Sequence, residues 1–146
     1  MLKNEEHQIA LEQVENQVTI TKFNETQQYD ILEQINEVPQ NGYAILNHLY
    51  VNPGFEADFE QVFLNRDQHL QDVEGFQSLL FLKPQIEHLH YVIVTIWTDE
   101  VAYKNWQASN AYKGSHKNRG THKGADKNIV NRDLSFNIGI NLYGNV

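Results

Sequence analysis

Seven histidines in a chain without a single cysteine are the first residues that ask for a chemical assignment. A neutral imidazole ligates iron, zinc or copper and titrates near neutral pH. The lack of thiols excludes disulfides, thiolate metal sites, iron–sulfur clusters and cysteine nucleophiles. His88 and His90 are two residues apart, which puts both on one face of a strand. That spacing occurs in metal sites, and a surface pair is the plain reading. His7 and His69 have no convergent neighbours and read as solvent-facing, while His122 falls in a basic loop. Asn47 and His48 are adjacent in GYAILNHLYV (42–51). On a strand they point to opposite faces, Leu46 and His48 one way, Ile45, Asn47 and Leu49 the other. An amide among apolar neighbours is costly unless it finds a partner. Asn47 is therefore either a structural hydrogen-bonder or a polar finger in a pocket. Trp106 and His116 stand ten residues apart across two helical segments. His116 could ligate iron or zinc beside a pocket for a flat aromatic ligand. Its plainer role is a histidine at a helix C-terminus, favoured by the dipole.

The elements that must position these residues belong to a chain of 146, one domain's worth. Hydrophobic content of 40% and aromatic content of 11% fit a globular core rather than disorder. The net charge of −8 disfavours nucleic acid as a partner. Charge is uneven, however. Residues 1–40 carry eight acids and two bases, whereas residues 104–132 carry seven bases against Asp126 alone. The basic stretch reads as a solvated loop or as a mouth that attracts an anionic small molecule. Its GSHKNRGTHKG lacks the spacing of a phosphate loop. The acidic N-terminus shows no secretory signal, and the longest apolar stretch, 91–97, is too short to span a bilayer. A soluble cytoplasmic protein is expected.

Periodicity predicts short strands at 7–11 and 17–23. A helix from Thr26 to about Val38 follows, with Tyr29, Ile31, Leu32 and Ile35 as its stripe. After the turn at Pro39–Gly42, a strand covers 42–51. Asn52 and Pro53 read as the start of a helix over 53–71, whose stripe of Phe55, Phe59, Val62, Phe63 and Leu70 includes Arg66. Strands are expected at 76–82 and 88–97, helix over 99–118, and a polar loop over 117–132. A last strand alternates through Leu134, Phe136, Ile138, Ile140 and Leu142. From residue 42 onward the order is strand, helix, strand, strand, helix, strand. That is the ferredoxin-like split βαβ arrangement, an α+β fold with an antiparallel sheet and helices on one face. Residues 1–40 form an N-terminal strand–strand–helix extension packing on the same sheet system as the domain at 41–146.

Three stretches carry a family resemblance: GYAILNHLYV, DVEGFQSLLFLKP and YVIVTIWTDEVAYKNWQASNAYKGSHKNR. Within the last, Trp and His are separated by nine residues, with Ser109, Tyr112 and Lys113 between them in an S-x-x-Y-K pattern. From Gly42 to Arg119 the chain resembles the antibiotic biosynthesis monooxygenase superfamily, a dimeric α/β-barrel group. Within it the likeness is to the IsdG-type heme-degrading monooxygenases of the HmoB-like kind, which also carry an N-terminal extension. The resemblance implies heme as both substrate and cofactor, and a functional set of Asn47, Trp106 and His116. In that set His116 is the proximal iron ligand and leaves the sixth position open for dioxygen. Asn47 hydrogen-bonds an iron-bound oxygen ligand, and Trp106 packs on the porphyrin and keeps it from lying flat. No protein nucleophile or general base is required.

Arg66, Lys113, Lys117 and Arg119 are candidates to meet the heme propionates. No nicotinamide or flavin fingerprint is present, so the electrons must come from a separate reductase or a small-molecule reductant. Two other functions fit the same fold. One is a cofactor-free oxygenase acting on a quinol-like aromatic, with His116 merely structural. The other is a non-catalytic heme-binding or signalling member. Many relatives pair two sheets into a barrel across a dimer. Here the N-terminal strands could supply part of the second sheet within one chain, so a monomer is expected.

Overall fold

Alternation at period two runs further through this chain than the helical stripes predict. The computed structural model describes residues 1–66, 70–109 and 129–144. Four strands come first: β1 (Leu2–Asn4), β2 (Ile9–Val14), β3 (Gln17–Lys22) and β4 (Glu25–Ile35). Then follow β5 (Asn41–Val51), α1 (Glu56–Leu64), β6 (Phe76–Pro84), β7 (Tyr91–Trp97), α2 (Glu100–Ala108) and β8 (Val130–Gly144), with a short 3-10 turn at Leu70–Asp72.

The main correction lies at β4, where a helix was expected and a strand is found. Phe23 and Asn24 both have positive φ, 50° and 72°, and make a two-residue turn that pairs Lys22 with Glu25. Two left-handed residues are what a tight hairpin needs to match the twist of its strands. The apparent helical stripe is a strand whose register shifts between Ile31 and Glu33. Before the bulge Tyr29 and Ile31 face the barrel interior, and after it Leu32 and Ile35 pack on the helix side. A bulge changes the facing of a strand and so imitates helical spacing. The extension is accordingly a four-stranded meander, not strand–strand–helix.

Two smaller corrections concern the helices. Asn52 is not an N-cap. Its carbonyl accepts from the Phe55 N–H at 3.0 Å across Pro53 and Gly54, whose φ is +91°. Pro followed by a left-handed Gly is a type II turn, so α1 starts at Glu56 and, ending at Leu64, is shorter than predicted. α2 is capped by Asp99, whose side chain accepts from Ala102 N–H at 2.8 Å.

Strands β5 to β8 form the ferredoxin-like sheet in the order β6-β7-β5-β8, with α1 and α2 on its outer face. The meander joins both edges of that sheet. β4 pairs with β6, β1 pairs with β8, and the antiparallel ladder closes as an eight-stranded barrel. Closure leaves no free edge among the described strands. The barrel interior is packed by Val18, Ile20, Leu46, Leu80, Val94 and Leu142, all at most 1% exposed, among others. On the final strand, Ile138, Ile140 and Leu142 share that interior as their alternation predicts, whereas Leu134 is exposed. Among the described residues no helix is long and apolar enough to cross a membrane.

Candidate functional site

The alternation of β5 separates its two candidate residues. Ala44 and Leu46 belong to the barrel core, and His48, 2% exposed, continues that row. Tyr43 and Ile45 face the helices, and Asn47 continues this outer row, opposite Ile93 on β7 and Asn137 on β8. Asn47 is half-buried, and among the described residues its amide makes no side-chain hydrogen bond. Its neighbour Asn137 is exposed, and Gly139 carries no side chain, so β8 leaves the outer face beside Asn47 low and polar. A β-carbon at Gly139 would collide with the Tyr43 hydroxyl.

Beside this face α2 lays an aromatic cluster on the sheet. Trp97, fully buried at the end of β7, donates from Nε1 to Thr95 Oγ1 at 3.0 Å. Trp106 of α2 packs over it at 5.3 Å between ring centroids, and Tyr103 packs on both. Ile45 and Tyr43 complete the cluster from β5. Asn47 and Trp106 thus lie on the same helix-covered side, Asn47 one step along the strand from Ile45. A cavity of about 470 Å³ borders Trp106, between α2 and the turn at Gly75. His116, Lys113, Lys117, Arg119, His69 and His122 fall outside the described residues.

Arg66 follows α1 and is engaged elsewhere. Its Nη1 donates to Glu33 Oε1 of β4 at 2.8 Å and to the Phe63 carbonyl at 2.7 Å, while the guanidinium stacks 3.7 Å from the Phe63 ring. Nη2 is buried with no partner among the described residues. The register shift that turns β4 is what sets Glu33 where Arg66 can reach it.

His88 and His90 do not share a strand face. Both precede β7; His88 is an exposed turn residue with φ +69°, and His90 is half-buried and meets Leu134 O through Nε2 at 2.7 Å. Among the described residues no group of three or more His, Asp or Glu could hold a metal ion. His90 instead joins a cluster that sequence spacing did not indicate. His48 Nε2 lies 2.6 Å from Lys22 Nζ, and the His48 ring stacks on Phe136 at 4.4 Å, with His90 edge-on to both. Burial above all holds the His48 imidazole down at about 4, helped by the Lys22 charge. The available signal was parity: Lys22 continues the row of Val18 and Ile20, as His48 continues that of Ala44 and Leu46.

Comparison with known proteins adds a family to this geometry. The antibiotic biosynthesis monooxygenase family matches residues 42–118. A heme oxygenase (staphylobilin-producing) of Staphylococcus saprophyticus is 26% identical over 99 residues, covering 66% of this chain and 94% of its own. A solved structure described as a major regulator of staphylococcal pathogenesis superposes with a TM-score of 0.63 at 16% identity, covering 98% of this chain and 88% of that one. The heme-degrading enzyme LmHde of Listeria monocytogenes gives a TM-score of 0.55 at 16% identity, covering 95% and 86%. These two structural likenesses speak for the fold. The family match spans more than half of the chain and coincides with its ferredoxin-like portion, so the chain belongs to the antibiotic biosynthesis monooxygenase family.

Proposed function

We propose that this protein is a heme-degrading monooxygenase, which binds heme as substrate and cofactor, opens the porphyrin using dioxygen and an external reductant, and releases the iron. The observation that carries the reading is Asn47, a half-buried amide on the helix-covered face that has no side-chain hydrogen bond among the described residues. Half-exposed on that face, the amide is free to meet a bound molecule in place of water. The 26% identical staphylobilin-producing heme oxygenase supports heme as that partner.

The described residues fit the group. A flat, largely apolar macrocycle suits an indole and an aliphatic row beside one polar donor, and Trp106, Ile45, Leu49 and Asn47 supply these on one side of the sheet. Asn47, Trp106 and His116 would hold the heme, His116 as ligand to its iron. When bound, heme supplies the iron that activates dioxygen against its own ring. Asn47 offers an amide N–H toward the negative charge that develops there. Trp106, backed by Trp97, limits how flat the bound ring lies. Arg66 holds Glu33 through Nη1 and keeps Nη2 for a propionate, and Lys113, Lys117 and Arg119 are the other candidate partners. A barrel closed within one chain supports a monomer, since among the described residues no sheet edge is left to pair. A cytoplasmic location and an unidentified reductant complete the reading.

An optical titration with hemin, followed by ascorbate in air, tests it on wild type, His116→Ala and Asn47→Ala. The reading expects a saturable Soret band at one equivalent, absent in His116→Ala and bleached with iron release in wild type. Asn47→Ala should bind heme yet bleach about 10²-fold more slowly, the usual effect of removing such a donor. Binding without bleaching would make the protein a heme carrier or sensor. No specific band would refute heme altogether and favour a cofactor-free oxygenase.

A further inference from the structure

The barrel has a second polar site, on the opposite face of β5 from Asn47. Lys22 closes the interior row of β3 and His48 lies in that of β5, so the barrel brings together an amine and an imidazole that are 26 positions apart. The hydrogen bonds assign the tautomers. His48 Nδ1 is 3.0 Å from its own strand's Leu46 carbonyl, which can only accept, so Nδ1 carries the proton. Nε2 is then an acceptor, and it takes its bond from Lys22 Nζ at 2.6 Å. His90 likewise spends its Nε2 proton on Leu134 O.

The amine is poorly neutralised. Among the described residues Lys22 forms no ion pair, and its cross-strand neighbour Glu25 is exposed. The other groups facing it are the neutral imidazole and the Phe136 ring, whose centroid is 5.4 Å from Nζ. Burial lowers the Lys22 pKa from its ordinary value, against the pull of Glu25. Partial removal from water makes a lysine give up its proton more readily, and the free amine is the nucleophile. The mouth is open: Phe136 is 46% exposed, and Tyr50 and His90 are half-buried around it.

We propose that Lys22 is a nucleophilic lysine that forms a Schiff base with an aromatic aldehyde at the mouth of the barrel, with the exposed side of Phe136 as its apolar wall and His48, stacked on the same ring, as the positioning residue. The Nζ lone pair forms a bond to the carbonyl carbon, and the carbonyl π pair becomes a hydroxyl by taking up a proton. The carbinolamine then loses water, whose hydrogens are the two the amine gives up, and the C=N bond remains. No oxidant or reductant enters this step. His48 Nε2 holds the amine at the mouth rather than in solvent.

The test uses the whole protein with benzaldehyde at limiting concentration near neutral pH. Sodium cyanoborohydride traps the imine, and peptide mapping by mass spectrometry reads each of the eight lysines. Lys22 should be benzylated roughly tenfold faster than any other lysine, and its labelling should reach its plateau at lower pH than theirs. His48→Leu, checked for folding by circular dichroism, should bring Lys22 down to the rate of the rest. Phe136→Ala should weaken the preference for benzaldehyde over formaldehyde. Labelling of lysines in order of their exposure, or an unchanged Lys22 preference in His48→Leu, would overturn the proposal.

Discussion

Acidification should destabilise this protein through His48 in particular, and the size of the effect follows from where the ring sits. His48 is 2% exposed inside the barrel mouth. Burial holds its pKa at about 4 instead of 6.5, with Lys22 and His90 adding to the effect and the Leu46 carbonyl opposing it. The unfolded chain therefore takes up a proton between these two values that the folded chain refuses. Stability from this site is complete above pH 6.5 and is lost as pH falls through about 4. At about 1.4 kcal/mol per pH unit the window amounts to about 3 kcal/mol, a sizeable share of the total for a domain of this length. Carboxylates titrate over the same range, so the measurement must be a difference. Urea unfolding followed by tryptophan fluorescence, from about pH 7 to about pH 4, should be run on wild type and His48→Leu. The wild type should lose about 3 kcal/mol more than the variant over that range. Parallel losses in the two proteins would refute the reasoning and mean that the imidazole is hydrated or charged in the folded state.

Three further substitutions probe the frame of the candidate site. Gly75 has φ +85° and faces Ala102 of α2 with no room for a methyl group; Gly75→Ala should cost about 2 kcal/mol in chemical denaturation by straining the turn and pushing α2 outward. Asp99→Ala removes the 2.8 Å cap to Ala102 N–H and should cost about 1 kcal/mol, visible as a lower Tm. Glu33→Gln breaks the 2.8 Å pair with Arg66, whose side chain is 19% exposed, and should cost about 1–2 kcal/mol. If Arg66 serves a heme propionate, the same variant should bind hemin more tightly; unchanged affinity would remove Arg66 from that role.

The second half of the fold was legible from residue 42 onward, because strands and helices there alternate at clean periods, while the family resemblance rested on particular stretches such as GYAILNHLYV and the Trp–His spacing. The facing of Asn47 against His48 also followed from parity alone, since successive side chains of a strand cannot share a face. The first forty residues were legible only in part. The stripe of Tyr29, Ile31, Leu32 and Ile35 reads as helix, and what overrides it is a bulge that β6 imposes from fifty residues away. A local window contains no trace of that partner. For the same reason nothing in the local sequence distinguished Arg66 bound to Glu33 from Arg66 free for a ligand.

The sequence by itself determined which residue types were available and which of them share a strand face: Asn47 and His48 had to part on β5, but which of the two faced the barrel interior was not given. Tertiary structure alone decided what they meet. Closing the meander onto both edges of the ferredoxin-like sheet brought Lys22 to His48, and the ladders of β5 with β7 and β8 set His90 in that cluster rather than in a pair with His88. The distinction is physical. Strand parity is set by the backbone of a few consecutive residues, whereas burial, partner and protonation state depend on ladders between segments far apart in the chain.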